Sequence, residues 1–212
     1  MKICDLYKPG KTVLSFEIFP PKKDGDIESV YSTIKSLSAL APDFVSVTFG
    51  AASSFGTLKL TADIAERIKQ NGVEPLAHLT CSGVENGSWK GLGIRGQGLG
   101  TAESYIFMER SDAITPLSAL KRRGIENILA LRGDEVSKGG FRYAKDLIAA
   151  VKGHGFCIGG AAYPEGHISC ESLQDDIRHL KQKEDAGASF FITQLFFEND
   201  IFAIIFALRH LF

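Results

Sequence analysis

Apolar runs that end in polar residues recur along this chain and define its predicted architecture. The runs are nearly continuous and rich in aliphatic and β-branched residues, which is typical of parallel strands covered on both faces. Most are followed by a segment with helical periodicity. The six runs are 14–21 (LSFEIFPP), 44–51 (FVSVTFGA), 75–81 (PLAHLTC), 127–134 (NILALRGD), 157–167 (CIGGAAYPEGH) and 190–197 (FFITQLFF). Strand, polar tip and helix in repetition predict an α/β fold of the TIM, or (β/α)8, barrel type.

Five intervening segments show helical periodicity together with signals for starting or ending a helix. In 26–39 the apolar residues Val30, Ile34 and Leu37 recur on one face. Ser172 and Asp175 have the spacing of a capping box, and Gly187 is a C-terminal stop. The predicted helices are 26–39, 60–70, 117–123, 143–152 and 172–186.

Two stretches depart from this alternation within the single domain predicted for 1–212. Residues 82–112 stand where a crossover helix is expected, yet they contain seven glycines, which oppose a helix and indicate an atypical insertion. The segment GLGIRG (91–96) matches G-x-G-x-x-G but neither follows a strand nor opens a helix, so it does not indicate a dinucleotide-binding turn. The second stretch is an atypical apolar tail, 201–212. With six strands instead of eight, the predicted barrel is incomplete and lacks its C-terminal strands.

Composition narrows the class of partner. The net charge is −1 and 23% of residues are charged, so neither nucleic acid nor an anionic membrane is expected as a partner. No signal peptide or membrane-spanning run is visible, and the four cysteines show no disulfide or zinc spacing. We therefore expect a cytoplasmic protein with free thiols, no metal and a small-molecule ligand, and homo-oligomer formation is left open.

The first candidate for chemistry is Glu17. Side chains alternate along a strand, so if Phe16 and Ile18 face the helices, then Ser15, Glu17 and Phe19 face the barrel axis. Burial there would raise the pKa of the Glu17 carboxyl group and suit it to general-acid catalysis. A structural ion pair inside the barrel is the alternative.

Further candidates lie at the ends of later strands. Arg132 could hold a phosphate or carboxylate, Gly133 permits close approach of a ligand, and Asp134 could accept a hydrogen bond from a ring N–H. A local salt bridge is the alternative for this group. Gln194 offers a neutral hydrogen-bonding side chain suited to a planar heterocycle.

Other polar residues have plainer interpretations that stay open. His78 on its own is more often a hydrogen-bonded core histidine. Tyr163, Glu165 and His167 crowd one strand exit, which could be only a turn with incidental polar groups. The charges at 181, 183 and 185 could be only a solvated helix face.

Taken in order, SFEIFPPK, VSVTFGA, AHLTC, NILALRGD, AAYPEGH and KQKEDAGASFFITQLFF resemble the successive signatures of the flavin-dependent 5,10-methylenetetrahydrofolate reductases of one-carbon metabolism. The resemblance covers about residues 1–81 and 115–200. It implies a TIM barrel that binds FAD at the strand ends and uses NAD(P)H as co-substrate. In the implied cycle, NAD(P)H reduces FAD and leaves, and the reduced flavin then delivers hydride to the folate, giving 5-methyltetrahydrofolate.

The same resemblance assigns roles by position. Glu17 corresponds to the acid that promotes opening of the folate imidazolidine ring, Asp134 to an aspartate between flavin and pterin, and Gln194 to a glutamine that binds folate and nicotinamide in turn. Positions that correspond to FAD contacts are Thr48, His78, Leu131, Arg132, Gly133, Asp134, Tyr143, Ala144, Tyr163, His167, Asp176 and Lys183.

The chain departs from the family pattern at several places. The family has a plain helix at 82–112 and two further strands after 200, and His179 and Gln182 replace residues near the FAD phosphates. The alternatives are therefore an inactive remnant of such an enzyme, or another flavin- or pterin-binding TIM-barrel protein.

Overall fold

A parallel sheet of six strands forms the centre of the computed structural model, which describes residues 1–21, 25–49, 55–81, 84–85, 88–89, 116–133, 141–197 and 200. The six strands lie side by side in chain order, and every neighbouring pair is parallel. The strands are β1 (Ser15–Ile18), β2 (Phe44–Val47), β3 (Glu74–Thr80), β6 (Asn127–Leu131), β7 (Cys157–Ala162) and β8 (Phe190–Thr193). The sheet curls into a half-barrel, and the six predicted strands and their fold class are confirmed.

The predicted helices are also present, with shifted ends. They are α1 (Ile27–Ser38), α2 (Phe55–Gln70), α3 (Pro116–Arg122), α4 (Ala144–Val151) and α5 (Leu173–Ala186). At the start of α5, the Ser172 side chain accepts a hydrogen bond from the Asp175 backbone N–H at 3.1 Å, and Gly187 at φ +125° ends the helix. The predicted start of α2 at residue 60 is wrong, because Gly56 and Thr57 are poor helix formers and hide the first turn.

Part of the predicted insertion 82–112 forms a short hairpin. Strands β4 (Val84–Glu85) and β5 (Ser88–Trp89) pair antiparallel, and the sequence analysis did not predict them. An Asn-Gly pair stands between them in the sequence, which is a strong short-range signal for a hairpin. The rest of 82–112, and the tail 201–212, lie outside the described residues.

Two apolar clusters cover the two faces of the sheet. One lies between sheet and helices and includes Ile18, with Phe16 packed against it. The other lies on the opposite face and contains Ile3 and Leu6 of a 3-10 helix, η1 (Ile3–Leu6), which the sequence analysis did not predict. Because Phe16 and Ile18 pack toward the helices, the predicted alternation along β1 is confirmed.

The N-terminal segment is fastened by one buried side chain. Asn127, which is fully buried, accepts a hydrogen bond from the Ile3 N–H at 2.8 Å and donates to the Met1 carbonyl at 3.0 Å. These bonds hold η1 against the end of the sheet opposite the strand tips. In the part of the chain that the structure describes, no helix is both long and apolar enough to span a membrane.

Candidate active site at the strand ends

A cavity of about 490 Å3 opens at the carboxyl ends of the strands. All six strands of the main sheet, or the residues just after them, contribute to its wall. Parallel strands bring their carboxyl ends to one edge, which is why residues far apart in sequence meet here. Its lining includes Glu17, Thr48, Phe49, His78, Thr80, Leu131, Arg132, Gly133, Tyr163, His167 and Gln194.

Glu17, Ser46 and His78 form a polar group on three adjacent strands in this region. Ser46 lies directly opposite Glu17 in the sheet register, and its hydroxyl group donates to Glu17 Oε2 at 3.2 Å. His78 Nε2 lies 3.6 Å from the same oxygen, which is too long for a hydrogen bond. The expected burial of Glu17 is wrong: its side chain is 48% exposed, because β1 ends the sheet in the described residues.

His78 differs from the hydrogen-bonded core histidine that its apolar surroundings suggest. It is 5% exposed, and burial lowers its pKa to about 4, so the imidazole is neutral at physiological pH. Within the described chain, Nε2 is buried and has no hydrogen-bond partner. Buried polar atoms are almost always hydrogen-bonded, so the unpaired nitrogen makes His78, which lines the cavity, a candidate contact for a ligand.

A second cavity, of about 310 Å3, adjoins the first between β6, β7, α4 and α5. The two cavities share Leu131, Arg132, Ala161, Tyr163 and His167. The second is also lined by Tyr143, Ala144, Lys145, Cys170, Asp176, His179, Gln182 and Lys183. Together they make one elongated groove with a wide end over the sheet.

Lys183 is a partly buried cation of this groove. Its ammonium group donates to the Ala161 carbonyl at 2.7 Å and lies 5.7 Å from the centre of the Tyr163 ring. Burial lowers the pKa of Lys183, and the nearby Asp176 carboxylate counteracts this by raising it. By contrast Lys181, two residues earlier, pairs with Asp185 at 3.0 Å on the helix surface. The solvated-face interpretation therefore holds for Lys181 and Asp185 but not for Lys183.

The turn after β7 is ordered by Asp176 and by ring stacking. Asp176, which is buried, accepts a hydrogen bond from the His167 backbone N–H at 2.8 Å. The Tyr163 and His167 rings meet edge to face with centroids 4.6 Å apart. Burial lowers the pKa of His167, with a further contribution from Arg132, so this imidazole also favours its neutral form. Tyr163 and His167 are thus wall residues of both cavities, not incidental turn residues.

The remaining candidates divide between described and undescribed residues. Gln194 is exposed, lines the first cavity and is held by its backbone N–H, which donates to the Ala162 carbonyl at 2.7 Å. Asp134 lies outside the described residues, so its predicted roles stay predictions. Ser46 was missed by the sequence analysis, because aligning the two predicted strands at their ends pairs Glu17 with Val47, whereas the register of the sheet pairs it with Ser46.

The fold and the site define a class: an α/β barrel-type protein with a ligand groove at its strand ends. The family profile described as methylenetetrahydrofolate reductase matches residues 2–90 and 106–207, and the chain belongs to this family. The match leaves out 91–105, inside the glycine-rich segment, and continues into the first seven residues of the segment 201–212.

Three relatives illustrate the similarity. The probable methylenetetrahydrofolate reductase (NADH) of Oryza sativa subsp. japonica is 34% identical over 222 residues, which cover 95% of this chain and 33% of that protein. The 5,10-methylenetetrahydrofolate reductases of Pectobacterium carotovorum subsp. carotovorum and Salmonella typhimurium are 39% and 36% identical over 193 residues, covering 89% of this chain and 56% of each relative. The chain therefore spans between a third and little more than half of the length of these relatives.

Proposed function

We propose that this chain carries the flavin and folate site of a reductase that converts 5,10-methylenetetrahydrofolate to 5-methyltetrahydrofolate, with FAD as cofactor and NAD(P)H as reductant. One observation carries the proposal. Every described residue to which the family resemblance assigns a role lines one of the two adjoining cavities. These residues come from all six strands and from α4 and α5, so their convergence depends on the fold and not on proximity in sequence.

The chemistry of the groove fits FAD. The wide cavity over the sheet offers the unpaired nitrogen of His78 and the neutral side chains of Thr48 and Tyr163 to a planar ring system. The narrower cavity, with Arg132 and Lys183, offers positive charge to a diphosphate. When bound, FAD would accept hydride from the nicotinamide and pass it to the folate carbon.

Glu17 is proposed as the general acid. Its carboxyl group is held by the Ser46 hydroxyl group on one oxygen and remains open to the cavity and to solvent. A proton from Glu17 would go to the departing nitrogen of the imidazolidine ring, whose bond to the methylene carbon then breaks to leave an iminium ion. The half-exposed position lets solvent return the proton. Gln194, across the cavity mouth, is proposed to bind the folate and nicotinamide rings in turn.

The test separates cofactor binding from folate chemistry. Purified protein incubated with FAD and desalted should be yellow and should release FAD when denatured. Protein that stays colourless would contradict the cofactor assignment.

With Glu17→Gln, NADH-to-menadione activity should remain, whereas folate reduction should fall by roughly 10²–10⁴, the range expected for loss of a general acid. The matched control is Glu165→Gln. Glu165 carries an exposed carboxylate at the same end of the sheet, but it lines neither cavity. Equal losses in both activities would show that Glu17 is structural.

A further inference from the structure

Three side chains with metal-binding atoms converge at the end of the second cavity that lies over α5. They are Cys170, Asp176 and His179, and their ligand atoms all lie within 4.8 Å of one another. Cys170 is partly buried, Asp176 is 9% exposed and His179 is exposed, so the cluster has one side open to solvent. Its spacing in sequence matches no common zinc motif, and only the turn between β7 and α5 brings Cys170 back onto the helix.

The separation of two of these atoms fits tetrahedral coordination. Cys170 Sγ lies 3.5 Å from His179 Nδ1. With Zn–S near 2.3 Å and Zn–N near 2.0–2.1 Å, two ligands at a tetrahedral angle are about 3.5 Å apart. The sulfur and nitrogen atoms therefore stand at the separation that one bound ion would require.

The cluster is held in place by its backbone. Asp176 accepts the His167 N–H at 2.8 Å, and the Cys170 N–H donates to the His167 carbonyl at 2.7 Å, so the turn fixes Cys170 relative to Asp176. Asp176 and His179 are three residues apart on α5 and therefore share one face of the helix. The Asp176 carboxylate therefore lies on the same side of α5 as His179, with all three ligand atoms within 4.8 Å of one another.

We propose that Cys170, Asp176 and His179 form a three-ligand site for Zn2+ or a similar divalent transition metal, with water in the fourth position. Thiolate and imidazole favour such ions over Mg2+ and Ca2+, which prefer oxygen ligands. The thiolate and the carboxylate neutralise the two charges of the ion. The Lys183 ammonium group in the same cavity opposes binding and limits the affinity.

The site has a consequence that rests on the proposed function. It lies in the cavity proposed for the diphosphate of FAD, and it uses Asp176, which lines that cavity and corresponds in position to an FAD contact of the family. Metal and flavin should therefore exclude one another, so the metal would act as an inhibitor of flavin loading.

Cobalt provides the test on the flavin-free chain. Addition of Co2+ should produce the visible bands of a tetrahedral ion and a thiolate-to-cobalt charge-transfer band, saturate at one ion per chain, and be reversed by Zn2+. Cys170→Ser should abolish the charge-transfer band. His179→Ala should weaken binding by more than the roughly 10-fold minimum known for residues that only support a metal ligand. Cys4→Ser, at the other partly buried thiol, is the control and should leave the spectrum unchanged.

Absence of the charge-transfer band, or its persistence in Cys170→Ser, would overturn the site. Unchanged FAD affinity in the Zn2+-loaded protein would overturn the competition alone. Failure of the metal-free protein to bind FAD would count against the proposed function and leave the cobalt result standing.

Discussion

Replacement of Gly159 by alanine should destabilise the protein, because another side chain already occupies the space that a Cβ would need. Gly159 of β7 lies opposite Phe190 of β8 in the sheet register. A Cβ atom built on Gly159 stands 2.6 Å from two carbons of the Phe190 ring and 3.0 Å from Leu129 Cδ1. Phe190 is 7% exposed and Leu129 is 3% exposed, so neither side chain can move away into solvent.

The change in the free energy of unfolding of Gly159→Ala has two opposing contributions. Overpacking a well-filled core costs typically about 1–3 kcal/mol, and a contact of 2.6 Å with a confined ring belongs in the upper part of that range. Alanine also reduces the conformational entropy of the unfolded chain, which offsets about 0.4–1 kcal/mol. The net loss in the free energy of unfolding should therefore be about 2 kcal/mol. Gly160→Ala is the matched control: its Cβ would meet Phe191 at 3.0 and 3.2 Å, and Phe191 is only partly buried, so the loss should be below about 1 kcal/mol.

Urea unfolding followed by circular dichroism measures the free energy of unfolding of both variants. The comparison holds when the slope of this free energy against urea concentration is the same as in the wild type. Phe190→Leu should relieve the clash, so the double variant should be more stable than the sum of the single effects predicts, by at least about 1 kcal/mol. Additive effects, or a Gly159→Ala protein as stable as the wild type, would refute the packing argument.

Two further predictions concern buried polar side chains. Burial holds the pKa of His78 at about 4, below its unfolded value near 6.5, so the unfolded state binds the proton more tightly. The free energy of unfolding is therefore at its full value above pH 6.5 and falls by about 3 kcal/mol as the pH is lowered to 4. Urea unfolding of His78→Gln between pH 4 and 6.5 should not show this fall in the free energy of unfolding. If the free energy of the variant changes with pH as much as that of the wild type, the lowered pKa of His78 is contradicted. Asn127→Ala should lower stability by about 2–3 kcal/mol, because the Ile3 N–H loses its buried acceptor, and should speed tryptic cleavage after Lys11. Asn71→Ala, at an exposed amide, should change neither; cleavage at the wild-type rate in Asn127→Ala would show that Asn127 does not fasten the N-terminus.

The strand and helix pattern could be predicted from sequence because it depends on local physics. A continuous aliphatic run, such as the one before Arg132, predicts a strand, and a cap such as Ser172 predicts the start of a helix. Both signals depend only on residues a few positions apart in the chain. The placement of Glu17 and Gln194 at one site also followed, since parallel strands share their carboxyl edge. The start of α2 was missed because glycine and threonine are poor helix formers. The hairpin β4/β5 was missed although its Asn-Gly pair signals a turn, because strands of two residues show no periodicity of their own.

Other properties depended on neighbours that only the tertiary structure supplies. His78 is a neutral base because burial by its neighbours lowers the pKa of the imidazole, and among the described residues none forms a hydrogen bond with Nε2. Lys181 and Lys183 look alike in sequence, yet one is on the surface and one is in the groove. The approach of Cys170 to His179 likewise depends on how the turn after β7 packs onto α5. Sequence periodicity determines which face of an element is buried, whereas protonation, hydrogen bonding and coordination depend on distances between elements, which are set only when the elements pack.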